Sequence, residues 1–165
     1  MEITTIKGFL SYYKKTREAT KRLITVIPKD QMGFAYLPGK FTIADQIRHI
    51  AAIERTVFAE IAIGKKPCYK GCGAELADGY DEVISYFDRT HDESIAIFSS
   101  LSDEDLKKTV STMNGSETDL GSFLRALFVH EIHHCATLYI YLNLLGVKTP
   151  PVFGLTEEQV KQFSI

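Results

Sequence analysis

Four stretches of this chain repeat apolar residues at helical spacing, and three of them are closed by proline or glycine. No run of four or more residues alternates apolar and polar between turn signals. Segments of that kind bury their apolar stripes by packing helix on helix. The first runs from Gly8 to Ile27, with Phe9, Leu10, Tyr13, Leu23, Ile24 and Ile27 set among lysines and arginines, and Pro28 stops it. Residues Lys29 to Lys40 hold Gly33, Pro38 and Gly39 among aromatic residues, which predicts a packed connection. The second helix starts at Thr42, a cap with Asp45 at the third helical position, and carries Ile43, Ile47, Ile50, Ile53, Val57, Phe58 and Ile61 before Gly64.

A loop with Pro67, Gly71 and Gly73 follows from Lys65 to Asp78, and Val83, Ile84, Phe87, Ile95 and Phe98 trace the third helix. Ser102 before Asp103, Glu104 and Asp105 reads as the cap and acidic first turn of one further short helix. The last helix runs from about Leu120 to Leu145, with Gly146 as its stop signal and an irregular tail beyond Pro150 and Pro151. The expectation is an all-α protein: a four-helix bundle with one additional short helix, residues 1–165 forming a single domain.

A domain near this size buries roughly 70% of its unfolded surface, so it needs neither disulfides nor a structural metal to fold. A formal net charge of -2 with scattered lysines and arginines gives no basic stripe, which argues against nucleic acid or an anionic membrane as a partner. No apolar run approaches the roughly 20 residues of a membrane span, and the start of the chain lacks a signal-peptide pattern. The expected location is the cytoplasm. Cys68, Cys72 and Cys135 are odd in number and fit no disulfide framework, so they are expected as reduced thiols.

The chemistry concentrates in histidines. His130 and His134, four apart on the last helix, project from one face a turn apart and can reach a common ion. Leu127 and Tyr141 share that face, which places it toward the bundle interior. Two such ligands need a third from another helix, and His49 on the second helix, beside Ala52, Ile53 and Thr56, is the candidate. Neutral imidazoles suit zinc, nickel, copper or iron, zinc and nickel above all, and three of them leave positions open to water or substrate.

His130 through His134 also spell the H-E-x-x-H pattern of zinc peptidases, but no further ligand stands in a suitable downstream segment, so the spacing is taken as metal-binding alone. Glu131 turns away from the ligand face, though not beyond hydrogen-bonding reach of a ligand or water, and His133 either supports a ligand from outside or makes a contact on the bundle's flank. Thr56, Thr137 and Tyr141 are the polar groups expected nearest the ion. Phe34, Tyr36 and Phe41 cover the bundle's end or wall a pocket, and His91, beside Asp92 and Glu93, is expected as an ordinary surface residue. Cys68 and Cys72 are expected as loop thiols, and Cys135 as a small helix residue beside a ligand.

Phe41 through His49, the stretch His130 to His134, and the run Tyr139 to Gly146 with Pro150 resemble the DinB-like superfamily of four-helix-bundle metalloproteins over most of the chain. The resemblance implies a divalent metal on His49, His130 and His134, and a bundle that often forms a homodimer. It also implies a small-molecule substrate and, for some relatives, a transferase or isomerase that uses a low-molecular-weight thiol. Family members commonly follow the last ligand with arginine, glycine and glutamine. This chain has Cys135, Ala136 and Thr137 there, so the family's substrate-side contacts do not carry over. The expected function is a metal-dependent transferase or hydrolase; the alternative is a non-enzymatic metal-binding stress-response or dimerisation module.

Overall fold

The computed structural model describes residues 2–151 and 154–164. Helix α1 (Ile6–Ile24) begins where the Thr5 hydroxyl accepts the Gly8 N–H at 3.1 Å and Asp103 accepts the Ile6 N–H at 2.7 Å. Its buried stripe carries Arg17 and Thr20 between Phe9 and Tyr13 on one side and Leu23 and Ile24 on the other. The helix ends three residues short of Ile27, which stays buried in the turn, because Pro28 disfavours helical backbone in the residue before it.

Helix α2 (Ile43–Ile53) starts at the expected capping box. The Thr42 hydroxyl accepts the Asp45 N–H at 3.1 Å, and the Asp45 carboxylate accepts the Thr42 N–H at 2.9 Å. It then widens into one π turn over Glu54–Phe58 before closing as α3 (Ala59–Ala62). The Thr56 carbonyl within that turn accepts the Cys68 N–H at 3.0 Å, which draws the following loop back over the helix.

Arg48 fastens the rest of the loop. Buried on α2, it donates to the Cys72 carbonyl at 2.7 Å, the Ala77 carbonyl at 2.8 Å and the Asp45 carboxylate at 2.6 Å. Arg48→Ala removes charge-assisted bonds that contribute about 1.5–3 kcal/mol each. The loop amides should then exchange with solvent at least about tenfold faster in hydrogen–deuterium exchange, with those of the last helix unchanged. Equal protection in the loop would show that Arg48 does not hold it.

Helix α4 (Tyr80–Ser99) follows Gly79, whose φ of 76° favours glycine. Ser102 and Asp105 make the expected reciprocal cap bonds, the Asp105 carboxylate accepting the Ser102 N–H and hydroxyl at 2.7 Å each, but only a 3₁₀ turn (Asp105–Lys107) follows instead of a helix. A small antiparallel pair then appears, β1 (Thr109–Ser111) with β2 (Glu117–Asp119), Val110 opposite Thr118. Strands of three residues are too short to show alternation in the sequence. Asp119 accepts the Ser122 N–H at 2.7 Å and so caps α5 (Leu120–Leu144), which Gly146 closes at a φ of 70°. The tail, expected to be irregular, contains a short helix α6 (Glu157–Phe163) with its own Thr156–Gln159 capping box.

The fold is the expected four-helix bundle. Around its square α1 neighbours α5 and α4, and α2 neighbours α4 and α5, so α1 and α2 stand diagonally opposed. Apolar clusters fill both ends, one around Phe9, Phe98, Leu124 and Leu127, the other around Leu23, Ile47, Phe87 and Leu138. No helix among the described residues is long and apolar enough to cross a membrane.

Between the clusters lies a charged layer joining all four helices. Arg17 pairs with Glu54 and with Glu131 at 3.1 Å, donates to the Tyr13 hydroxyl at 2.8 Å, and lies over the Phe87 ring at 4.2 Å. The Thr20 hydroxyl donates to Glu131 at 2.6 Å, and His91 Nδ1 stands 2.9 Å from Glu54. Burial opposes the Arg17 charge, but Glu131 and Glu54 more than restore it. His91 is therefore half-buried against this layer, not the surface residue its acidic neighbours in sequence indicated.

Candidate metal centre

Because α5 lies against α2, the structure brings His49, His130 and His134 together: one ring nitrogen from each falls within 4.8 Å of the others. Nε2 of His49 and Nε2 of His130 are 3.1 Å apart, and the ring centroids are separated by 4.5 to 5.0 Å. All three side chains are half-buried at the rim of the bundle core.

Two of the three outward nitrogens are held by neighbours. Nδ1 of His134 donates to the Oε1 of buried Gln46 at 2.5 Å, which fixes its proton there and leaves the Nε2 lone pair for the cluster. Nδ1 of His49 lies 2.8 Å from the Tyr69 hydroxyl, and with the proton on that nitrogen its Nε2 is likewise a lone-pair donor. Nδ1 of His130 is buried without a hydrogen-bond partner among the described residues, while its Nε2 faces His49. At that separation the two Nε2 atoms share a proton or a cation, and three convergent imidazole nitrogens suit a divalent ion.

The electrostatics agree with that chemistry. Burial, then the neighbouring His134, His49, His133 and Arg17, push the His130 imidazole down to about 3. Burial, then His49 and His133, push His134 down to about 4, and burial lowers His49. The three rings are therefore neutral near pH 7. Protons favour the unfolded chain wherever a folded pKa lies below the free imidazole value, so the metal-free protein has this contribution in full above about pH 6.5. It loses the contribution progressively as pH falls toward 4 and 3. Thermal unfolding without metal should show the melting temperature falling across that window by more than in the variant with all three histidines replaced by alanine; parallel curves would contradict it.

Three polar groups expected near the ion donate their hydroxyls to backbone carbonyls. The Thr56 hydroxyl donates to the Ala52 carbonyl at 2.6 Å, Thr137 to the His133 carbonyl at 3.2 Å, and Tyr141 to the Phe41 carbonyl at 3.0 Å. Each is satisfied by backbone. Gln46 and Tyr69 are the side chains that bond the histidines directly, and the Phe41 ring stands 5.3 Å from that of His49. Gln46 was legible in principle, three residues before His49 on the same face; Tyr69 arrives through the loop and left no signal. Phe34 packs edge-on to Tyr141 at the bundle's end. Exposed His133 flanks His134, with 5.1 Å between ring centroids.

Glu131 is fully buried and turned into the Arg17 layer, away from the histidines. It cannot serve as the base of an H-E-x-x-H peptidase, and it does not hydrogen-bond a ligand of the cluster. The other nearby acids are also paired: Asp45 with Arg48, Glu54 with Arg17 and Glu60 with Arg55. No carboxylate joins the cluster among the described residues. Cys68 is exposed, whereas Cys72 is buried, and burial raises the Cys135 thiol to about 11, which leaves it unreactive at neutral pH.

A bundle with three convergent histidines on two adjacent helices defines a class of helical proteins with a histidine-built centre. The chain belongs to the DinB superfamily, whose family model matches residues 12–138. No curated protein matches the sequence. Among solved structures, a DinB-like protein from Bacillus cereus ATCC 10987 superposes with a TM-score of 0.76 at 18% identity, over 90% of this chain and 97% of that one. YfiT from Bacillus subtilis, described as a probable metal-dependent hydrolase with an unusual four-helix bundle topology, gives 0.67 at 15% identity over 87% and 89%. A mycothiol-dependent maleylpyruvate isomerase gives 0.61 at 17% identity, over 82% of this chain and 63% of that one. At these identities the likeness establishes the fold.

Proposed function

We propose that His49, His130 and His134 hold a divalent ion, zinc or nickel, and that the protein is a metal-dependent enzyme acting on a small molecule, either a thiol-dependent transferase or a hydrolase. The observation that carries this is the convergence of three neutral imidazoles from two helices, two of them oriented from behind by Gln46 and Tyr69. An ion held by three nitrogens keeps a position open and supplies Lewis acidity, lowering the pKa of a water or a small thiol that reaches it.

The chain's own residues prepare the site. Gln46 holds the proton on Nδ1 of His134, Tyr69 orients His49, and Arg48 pins the loop that carries Tyr69. Phe41 and Phe58 stand beside the His49 and His130 rings, at 5.3 and 6.4 Å between centroids, and limit water on two sides. His133 stands exposed beside His134 and outside the ligand set. The probable metal-dependent hydrolase and the mycothiol-dependent maleylpyruvate isomerase among proteins of like fold support this range of chemistry.

The test is turnover by the metal-loaded protein of two panels: esters and amides, and low-molecular-weight thiols offered with an electrophilic acceptor. Hydrolysis or thiol consumption that stops on chelation and in His49→Ala is the expected result; loaded protein inert toward both would favour the non-enzymatic module. The proposal extends to a cytoplasmic homodimer, so sedimentation should give a mass near twice 18.6 kDa. A monomer mass at every concentration would remove that part.

A further inference from the structure

Beside His130 an open groove of about 580 Å³ runs along the outer side of α5, lined by Phe58, Ser122, Arg125, Ala126, Val129 and His133. Its size is that of a small-molecule site. Phe58, Ala126 and Val129 make it apolar, and the Phe58 ring is fixed against Phe123 at 4.7 Å between centroids. His130, one of the three clustered histidines, lines it as well, so the groove opens onto the candidate metal centre.

Arg125 is the charged residue of this lining. It is exposed and forms no ion pair within 4.0 Å among the described residues, in contrast to Arg17, Arg48 and Arg55. The nearby Asp119 caps α5, and the capping bonds, helped by the Arg125 charge, hold its carboxyl below the usual range, yet Asp119 and Arg125 form no ion pair. A divalent ion on three neutral nitrogens keeps its charge, since the surrounding carboxylates are paired elsewhere. With an ion on the histidines the groove would carry positive charge on both flanks of an apolar middle. Arg125 precedes His130 by five residues, about 7.5 Å along the helix axis.

Building on the metal-centre proposal, we infer that this groove takes the substrate and that the substrate is an anion: a carboxylate, sulfonate or phosphate head on Arg125 and Ser122, an apolar body of several carbons against Phe58 and Val129, and the reacting group at the histidines. Charge complementarity selects against cations and neutral analogues of the same shape.

The test uses straight-chain fatty carboxylates as probes, titrated calorimetrically into zinc-loaded full-length protein whose metal content has been measured. Affinity should rise with chain length as more of the apolar body covers Phe58 and Val129. Octanamide should bind about tenfold or more weaker than octanoate, and Arg125→Gln should weaken octanoate similarly while keeping its zinc, since a charge-assisted hydrogen bond is lost in each case. Equal affinity for octanoate and octanamide, or unchanged affinity in Arg125→Gln, would overturn the inference. Failure of the metal-centre proposal would appear separately, as protein that takes up no zinc, and Arg125-dependent octanoate binding would then still report on the groove.

Discussion

Arg17→Met is expected to lower the unfolding free energy by roughly 3–5 kcal/mol, the cost of leaving buried charge without its partner. Arg17, Glu54 and Glu131 are each 0–1% exposed, and the arginine joins carboxylates from two other helices while lying over Phe87. Removing it strands two carboxylates side by side in the core. Replacing the whole layer is a different change: Arg17→Met with Glu54→Leu and Glu131→Leu exchanges desolvated charge for packing and should recover most of the loss. Urea unfolding followed by circular dichroism measures both. A loss below about 1 kcal/mol in the single variant would mean that the layer is hydrated in solution.

Loss of any one histidine of the cluster should have a comparably large effect on metal binding. His49→Ala, His130→Ala and His134→Ala each leave two ligands, and each should weaken zinc by more than about 100-fold, beyond the range produced by losing an outer hydrogen-bond partner. Gln46→Ala, which frees the Nδ1 proton of His134 while sparing every ligand, should fall within that range, about 10–100-fold. Ion that binds the folded state at 100 times its dissociation constant adds about 2.7 kcal/mol of stability. Zinc should therefore raise the melting temperature of the wild type and leave the single-histidine variants unmoved. Competition against a chromophoric chelator gives the affinities, and a Gln46→Ala protein that binds zinc as the wild type does would reduce Gln46 to packing.

Helix boundaries were readable because their signals are local: the Thr42 box, Pro28 and Gly146 act within a turn of themselves. The histidine convergence was readable for a related reason, since spacing decides which residues share a face. Spacing does not decide which face points inward. On α5 the sequence shows too little contrast to settle that, because Val129, Ile132, Ile140 and Leu144 are exposed on its outer side while Leu124, Leu138 and Leu142 fill the core. The spacing alone turns the histidines inward and Glu131 aside, whereas the structure puts Glu131 in the centre and the histidines at the rim. The π turn, the two short strands and Tyr69 depend on how a loop settles against a helix. That is tertiary information, and neither periodicity nor capping residues encode it.

The metal centre is tested most directly by X-ray absorption at the zinc edge of the loaded, tag-free protein, beside the variant with all three histidines replaced by alanine. The prediction is three imidazole nitrogens at about 2.0–2.1 Å with a remaining light-atom ligand, and no such signature in the variant. A zinc shell containing sulfur, or the same spectrum from both proteins, would contradict it.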